Sequence, residues 1–239
     1  LMQLVMPRAE MAAHTLAVDV GARLSIDDLM AWALSVGFQV NPLVQEPGTI
    51  ARRGGIVDLF PPGSELPIRI DFFGDEVDSI RRFDPHNQRS TDKLRRLTLL
   101  PPLEVPTWRL QEIAPQVAAL DTTRLRNEVR EEWLRMQGHL DTGTLPASLD
   151  VLAGYLVPER TTLLDYVPDD ALFVIDQPAS VLLAATQREH HAFELLTNAM
   201  ESGELPPGIQ QPFLPAADLE RQLSRRASFN FGAVSERQR

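Results

Sequence analysis

The sequence contains no cysteine and no long hydrophobic run. Without cysteine the chain can form neither a disulfide nor a thiolate metal site. No stretch approaches the ~18 consecutive apolar residues that a membrane-spanning helix needs, and the apolar run at residues 171–175 is long enough only for a strand. The chain opens on Leu1 without a signal-peptide pattern. We therefore expect a cytoplasmic globular protein and interpret the chain as a piece of a longer one.

Motifs for nucleotide, metal and hydrolytic chemistry are also missing. The sequence has no GxxxxGK[ST] phosphate loop, no GxGxxG, no HExxH and no GxSxG. His190 and His191 are adjacent in a predicted helix, where neighbouring side chains point about 100° apart and do not readily share a metal. We therefore expect no catalytic residue, no metal site and no cofactor in this segment.

One short segment is typical of a nucleotide-binding strand. Residues 172–176 are apolar and end in Asp176, as in Walker B strands, where the Asp orders Mg²⁺ and a following Glu positions water. Here Gln177 follows, and an amide cannot act as that base. This pattern predicts that the segment is not an enzyme by itself.

The charge balance is acidic, with 33 acidic and 23 basic residues and a net charge of −10. Proteins that grip nucleic-acid phosphate are usually basic, so the composition counts against direct DNA binding. Four pairs of adjacent arginines still leave a local basic patch open: 52–53, 81–82, 95–96 and 225–226.

The first part of the chain has the residue pattern of a small sheet. The pattern predicts strands at 15–20, 50–60, 67–73, 76–83 and 94–100, and a helix that Ser25 caps and Gly37 ends. Gly54-Gly55 is interpreted as a bulge or a close backbone approach inside the second of these strands. Gly74-Asp75 is typical of a hairpin turn. We therefore predict an antiparallel α+β module over residues 1–98.

The second part is predominantly helical after the prolines at 101, 102 and 106. Helices are predicted at 121–138, 149–156 and 178–200, and the segment 162–176 leads into a strand that is apolar on both faces. Such a strand is typical of the buried centre of a parallel sheet. We predict a partial α/β domain over residues 99–222, followed by a loosely ordered polar tail over 223–239.

One strand carries a candidate binding surface. In residues 67–73 side chains alternate, so that Ile68, Ile70 and Phe72 share the core face, while Arg69, Asp71 and Phe73 share the other. An aromatic and an arginine together are typical of interface hot spots, and Arg53 on a neighbouring strand could join them. The alternative is that Phe73 is covered by its own domain and that Arg69 and Asp71 only pair along the strand. The pattern alone leaves both open.

The same residues carry a family resemblance. The run RRGGIVDLFPPGSELPIRIDFFGDEVDSIRRFDPHNQRS, residues 52–90, closely resembles the second domain of bacterial transcription-repair coupling factors. A shorter version is shared with the excision-repair subunit UvrB, but GSELP and the QRS ending are more similar to the coupling factors. The runs GTLPASLDVLAGYL and TTLLDYVPDDALFVID resemble the domain that follows in that family. The resemblance covers roughly residues 1–178.

The resemblance implies a fold and a set of partners. Residues 1–98 would be a UvrB-like, UvrA-binding module, and residues 99–222 the C-terminal part of a degenerate helicase-like domain that exposes apolar surface. The full-length protein would act at RNA polymerase stalled at DNA damage, translocate on duplex DNA with ATP and Mg²⁺, and recruit UvrA. Its motor and polymerase-binding domains would lie elsewhere. Two alternatives are a UvrB-like nucleotidase fragment and a direct DNA-binding module.

The resemblance also implies site residues. The family's UvrA contact falls on Arg53, Arg69 and Phe73, although Arg52 beside Arg53 leaves the register open. Because solvent-facing substitutions usually change stability by no more than roughly 0.5 kcal/mol, we expect replacement of Arg69 or Phe73 to cost little stability.

Overall fold

The computed structural model describes residues 1–232 and places them in two compact units. One unit is Arg8–Trp108; the other combines Leu1–Pro7 with the chain from Arg109 onward. The compact unit thus ends after Trp108, whereas the predicted module ends at residue 98. Helices and strands occur in both units, which confirms the predicted α/β class. In the part of the chain that the structure describes, no helix has the length and apolar character needed to cross a membrane.

The Arg8–Trp108 unit is built mainly of strands. Its helices are α1 (Arg8–Ala13) and α2 (Ile26–Ser35), and its strands are β1 (Leu16–Asp19), β2 (Gln39–Val40), β3 (Thr49–Arg53), β4 (Ile56–Leu59), β5 (Ile68–Phe73), β6 (Glu76–Phe83), β7 (Ser90–Leu94) and β8 (Arg96–Leu99). Strands β2 to β7 form one sheet in sequence order, with antiparallel pairing from β3 onward. Strands β1 and β8 pair separately and antiparallel.

The predicted strand over residues 50–60 is wrong: the chain makes a hairpin there. Strands β3 and β4 are joined by the two-residue turn Gly54-Gly55, and Arg53 lies opposite Ile56. Gly54 adopts φ +61°, a conformation that glycine reaches without steric cost. The close backbone approach is confirmed, because a Cβ on Gly55 would lie 3.3 Å from the Phe72 carbonyl oxygen.

One further strand prediction needs revision, and one strand was not predicted. The single strand expected over 94–100 is β8, which pairs with β1. The preceding segment forms β7 at the edge of the main sheet and was missed because it is polar and exposed. Edge strands commonly carry charged side chains, which discourage further pairing, so apolar alternation does not reveal them.

Helix α2 covers one face of the main sheet. Its first turn is capped as predicted, with the Ser25 hydroxyl accepting a hydrogen bond from the Asp28 amide at 3.0 Å. The core beneath it contains the apolar residues of β3 to β6 that point the same way, together with Leu29 and Ala33 of α2. A smaller cluster is separate from this core and contains Val44, Ala51, Phe60 and Phe83.

The other unit is mainly helical. Its helices are α3 (Leu110–Ala118), α4 (Asn127–Thr142), α5 (Ala153–Leu156), α6 (Pro178–Glu201) and α7 (Ala216–Ser224), and its strands are β9 (Phe173–Asp176) and β10 (Ser228–Phe231). The helix predicted from Asp121 begins later, at Asn127, because the Asp121 carboxylate instead accepts the Thr123 amide in a turn. Helix α3 was not predicted.

The predicted strand near Asp176 exists, but it is not buried. Strands β9 and β10 pair in parallel, with Val174 opposite Phe229. Parallel pairing agrees with the prediction, yet Val174 is 69% exposed and Phe229 is 56% exposed. The predicted loose tail is also wrong over Ser228–Phe231, which forms β10. The first two residues of that predicted tail belong to α7, which ends at Ser224, and residues 233–239 lie outside the described residues.

Candidate protein-binding surface

The three predicted contact residues share one face of the main sheet. Strand pairing places Arg53 opposite Ile56, Ile56 opposite Asp71, and Asp58 opposite Arg69. Side chains on directly opposite residues point to the same side of a sheet, and those two apart on one strand do so as well. Arg53, Arg69 and Phe73 therefore project from the face opposite the α2-covered core. We call this side the open face.

Pairing also separates the two adjacent arginines of β3. Arg52 points to the side of α2, where its Nη1 lies 2.5 Å from Asp27 Oδ1. Arg53 points to the open face, and its Nη2 donates a hydrogen bond of 2.7 Å to the Pro42 carbonyl. The register ambiguity therefore has a geometric answer: Arg53, and not Arg52, shares a face with Arg69 and Phe73.

Phe73 is the most exposed large apolar side chain on the open face. It is 84% exposed at the end of β5, beside the Gly74-Asp75 turn, whereas the preceding Phe72 packs against the main core. The alternative in which Phe73 is covered by its own domain is therefore wrong. An exposed phenyl ring offers a large apolar area that a partner can bury.

Arg69 has a different environment. Its Nε and Nη2 donate to Asp58 Oδ1 and Oδ2 at 2.7 and 2.8 Å, and its guanidinium lies 4.7 Å from the centre of the Phe83 ring. The Arg69 side chain is 17% exposed and that of Asp58 is 2% exposed. The hydrogen bonds to Asp58 raise the pKa of Arg69 above its usual value. The expectation that Arg69 faces solvent is therefore wrong, and its burial removes the reason for expecting that its replacement costs little stability.

The pair was missed because Asp58 was placed within a single long strand. Once β3 and β4 form a hairpin, Asp58 becomes the direct neighbour of Arg69 on β5. Isolated buried carboxylates are rare because removing a charge from water is costly. The position of Asp58 between two apolar residues of a strand could therefore have indicated a buried ion pair.

Asp71 is a second carboxylate on the open face that sequence reasoning did not identify as functional. Its Oδ2 accepts hydrogen bonds from Ser79 Oγ at 2.7 Å and Arg81 Nη2 at 2.5 Å, both on β6. Ser79 lies directly opposite Asp71, and Arg81 lies opposite Arg69. The centre of the open face is therefore a hydrogen-bonded charge network, and Arg53 and Phe73 lie towards one end of it.

The nucleotide-like segment also has a defined position. Asp176 is the last residue of β9, as predicted, and Gln177 follows in a left-handed conformation with φ +48° at the start of α6. Among residues 1–232 no group of three or more histidine and carboxylate side chains is placed to hold a metal ion. The open face is the site with the most distinctive geometry, because it combines an exposed phenyl ring with a network of hydrogen-bonded charged side chains.

Residues 16–104, which include all of the open face, match the model of the UvrB interaction domain. The sheet that carries Arg53, Arg69 and Phe73 therefore lies within the stretch that is similar to the UvrB interaction domain.

Over a longer stretch the chain is similar to transcription-repair-coupling factors. It is 36% identical to that of Escherichia coli and 34% identical to that of Haemophilus influenzae, each over 73% of this chain and 15% of the relative. It is 30% identical to that of Bacillus subtilis over 82% of this chain and 18% of the relative. The chain is thus a homologue of part of the transcription-repair-coupling factors, which confirms the resemblance seen in the sequence. It spans less than a fifth of the length of these relatives.

Proposed function

We propose that this chain is the part of a transcription-repair coupling factor that recruits the excision-repair protein UvrA. The observation that carries the proposal is the exposed Phe73 on the same sheet face as Arg53, within a UvrB interaction domain. Aromatic and arginine side chains dominate the energetics of many protein interfaces. Recruitment by this surface requires binding only, with no chemical step.

Each predicted contact residue has a distinct task in this proposal. Phe73 buries its ring in an apolar pocket of UvrA. Arg53 exchanges its hydrogen bond to the Pro42 carbonyl for carboxylate or carbonyl groups of the partner. Arg69 holds Asp58 and the sheet in place, and it offers UvrA only the small part of its side chain that remains exposed.

The wider activity belongs to the full-length protein. We propose that its other domains bind RNA polymerase stalled at DNA damage and translocate on duplex DNA using ATP and Mg²⁺. The present segment would then bring UvrA to the same place in the cytoplasm. The similarity to transcription-repair-coupling factors supports this division of tasks.

Calorimetric titration of the chain into purified UvrA tests the proposal. We expect saturable 1:1 binding by the wild type and a loss of about 2 kcal/mol, or roughly 30-fold in affinity, for Phe73→Ala. The matched control is Leu34→Ala, which removes an exposed apolar side chain from α2 on the other side of the sheet. No binding by folded wild type, or equal losses in both variants, contradicts the proposal.

A further inference from the structure

We propose that a small apolar pocket in the mainly helical unit docks a segment of a partner protein that carries a leucine-sized side chain next to a lysine or arginine. The pocket is formed by four half-buried apolar residues and two exposed polar ones: Val151, Leu196, Ile209 and Pro212, with Asp150 and Gln210. All six belong to the unit that does not contain the open face, so the inference is independent of UvrA binding.

One wall of the pocket is fixed by its packing. The backbone of Gln210 and Gln211 lies against Gly154 of α5, where an added Cβ would come within 2.7 Å of the Gln211 carbonyl oxygen. The Gln210 amide also donates a hydrogen bond of 3.3 Å to the Tyr155 hydroxyl. The wall therefore has its shape before a partner binds, which reduces the ordering cost of binding.

The volume of the pocket limits the side chain that it can hold. The pocket measures about 110 Å³, which is less than the cavity of about 150 Å³ that holds benzene. An aliphatic side chain such as leucine fits this space, whereas the indole of tryptophan is too large for it. Its contact with Val151, Leu196 and Ile209 would remove apolar surface of both partners from water.

Charge determines what must accompany the aliphatic side chain. Asp150 is exposed, and its carboxylate makes no hydrogen bond or ion pair within residues 1–232. A partner that fills the pocket covers this carboxylate, and a covered carboxylate without a donor is costly.

The surrounding charge has the same sign as Asp150. Acidic residues outnumber basic ones between residues 109 and 232. An acidic surface attracts cationic segments over a distance and disfavours anionic ones. A lysine or arginine beside the aliphatic side chain is therefore favoured both on approach and in contact with Asp150.

The probe for this pocket is the dipeptide acetyl-lysyl-leucine amide, which carries the two required side chains and no terminal charge. Acetyl-glutamyl-leucine amide reverses the charge, and acetyl-lysyl-glycine amide removes the aliphatic group. Methyl NMR of the whole chain follows the signals of Val151, Leu196 and Ile209 at one protein concentration and low salt. We expect saturable shifts with the lysyl-leucine peptide and at least about fivefold weaker binding of the other two.

A charge variant and its control test the role of Asp150. In Asp150→Asn the affinities for the lysyl-leucine and glutamyl-leucine peptides should come within about twofold of each other, because the carboxylate that distinguishes them is gone. Asp141→Asn makes the same change at an exposed position of α4 that does not line the pocket, and it should keep the wild-type preference.

Two further variants fill the pocket from different elements. Val151→Phe and Leu196→Phe each place a larger side chain in the space that the leucine of the probe would occupy. Both should abolish saturable binding. Circular dichroism melts show which variants are folded, and either filled variant suffices if the other does not fold.

The outcomes decide the inference separately from the proposed function. If the lysyl-leucine peptide gives no saturable shift, the pocket is only a gap in the packing and the inference is overturned. It is also overturned if the wild type binds the lysyl-leucine and glutamyl-leucine peptides equally, if Asp150→Asn keeps the preference, or if a folded filled variant still binds. Each of these results leaves the titration of Phe73→Ala into UvrA to test the proposed function by itself.

Discussion

Arg69 of β5 donates two parallel hydrogen bonds to Asp58, its direct neighbour on β4, and the Asp58 side chain is almost completely buried. The pair makes Arg69 part of the support of the surface. A buried pair of this kind contributes little net stability when intact, but removal of one partner leaves an uncompensated buried charge. A substitution at Arg69 therefore changes the stability of the fold as well as the affinity for the partner, so a loss of binding cannot be assigned to a lost contact alone.

We predict that Arg69→Ala lowers the free energy of unfolding by about 3–5 kcal/mol, because Asp58 then remains buried and unpaired. Urea unfolding followed by circular dichroism measures the change. The double variant Asp58→Leu/Arg69→Leu should be more stable than Arg69→Leu alone, since it removes both charges. Phe73→Ala is the control and should stay within about 0.5 kcal/mol of the wild type. If Arg69→Ala also changes the free energy of unfolding by no more than this amount, Arg69 does not support the fold as we infer.

A second prediction uses the adjacent arginines Arg52 and Arg53 as a matched pair. The two variants Arg52→Ala and Arg53→Ala have the same net charge, but they alter opposite faces of the sheet. We expect Arg53→Ala to weaken UvrA binding about tenfold or more. Arg52→Ala should bind like the wild type, because Arg52 pairs with Asp27 on the α2 side. Equal losses in calorimetry would point to net charge as the cause and contradict the assignment of a binding face.

A third prediction concerns pH and the ion pair of Arg109 with Glu159. Arg109 donates to both Glu159 oxygens, at 2.8 and 3.1 Å, and these hydrogen bonds lower the pKa of Glu159 below its usual value. A lowered folded-state pKa stabilises the protein above the unfolded-state value, and that contribution disappears as the pH falls through the folded-state pKa.

We therefore expect Glu159→Gln to be less stable than the wild type at neutral pH, by no more than about 1 kcal/mol because Glu159 is partly exposed. The difference should shrink as the pH falls from about 5 to about 3. Urea unfolding at several pH values measures it. Glu131→Gln, at an exposed position of α4, is the control and should show no comparable pH trend. If the stability difference between Glu159→Gln and the wild type instead grows as the pH falls, the expected direction of the pH dependence is wrong.

A fourth prediction concerns the exposed apolar residues of β9 and β10. Val174, Phe229 and Phe231 are all more than half exposed, as is Leu172 just before β9, and Val174 lies directly opposite Phe229. Parallel strands are normally buried on both faces, and exposed apolar patches promote association. We expect sedimentation to show concentration-dependent self-association, reduced in Val174→Thr/Phe229→Thr. Phe73→Ser, which removes an exposed aromatic elsewhere, should not reduce it. A wild type that stays monomeric at high concentration would rule this out.

The sequence predicted the β5–β6 hairpin because both strands alternate and Gly74-Asp75 marks the turn. Alternation also assigned Phe73 and Arg69 to the same face. It could not identify the neighbours across the sheet, because the turn at Gly54-Gly55 was interpreted as a bulge. For that reason the burial of Arg69 against Asp58 and the network around Asp71 were not predicted.

The remaining errors have equally local causes. Helix α3 contains Pro115, which usually argues against a helix, although Leu110, Ile113, Ala114 and Val117 have helical spacing and are buried. The composition of β9 could not predict that the strand is exposed. Its apolar residues favour burial, but they do not indicate which other element would cover them.

The residues of the open face lie close together in the chain. Arg53, Arg69, Asp71, Phe73 and Arg81 come from strands β3 to β6, which follow one another in the sheet in the order of the sequence. Hairpins between consecutive strands close short loops, and proteins rich in such local contacts fold faster than those that join distant segments. During synthesis from the amino end, this surface can therefore be complete while the helices that follow it are still being translated.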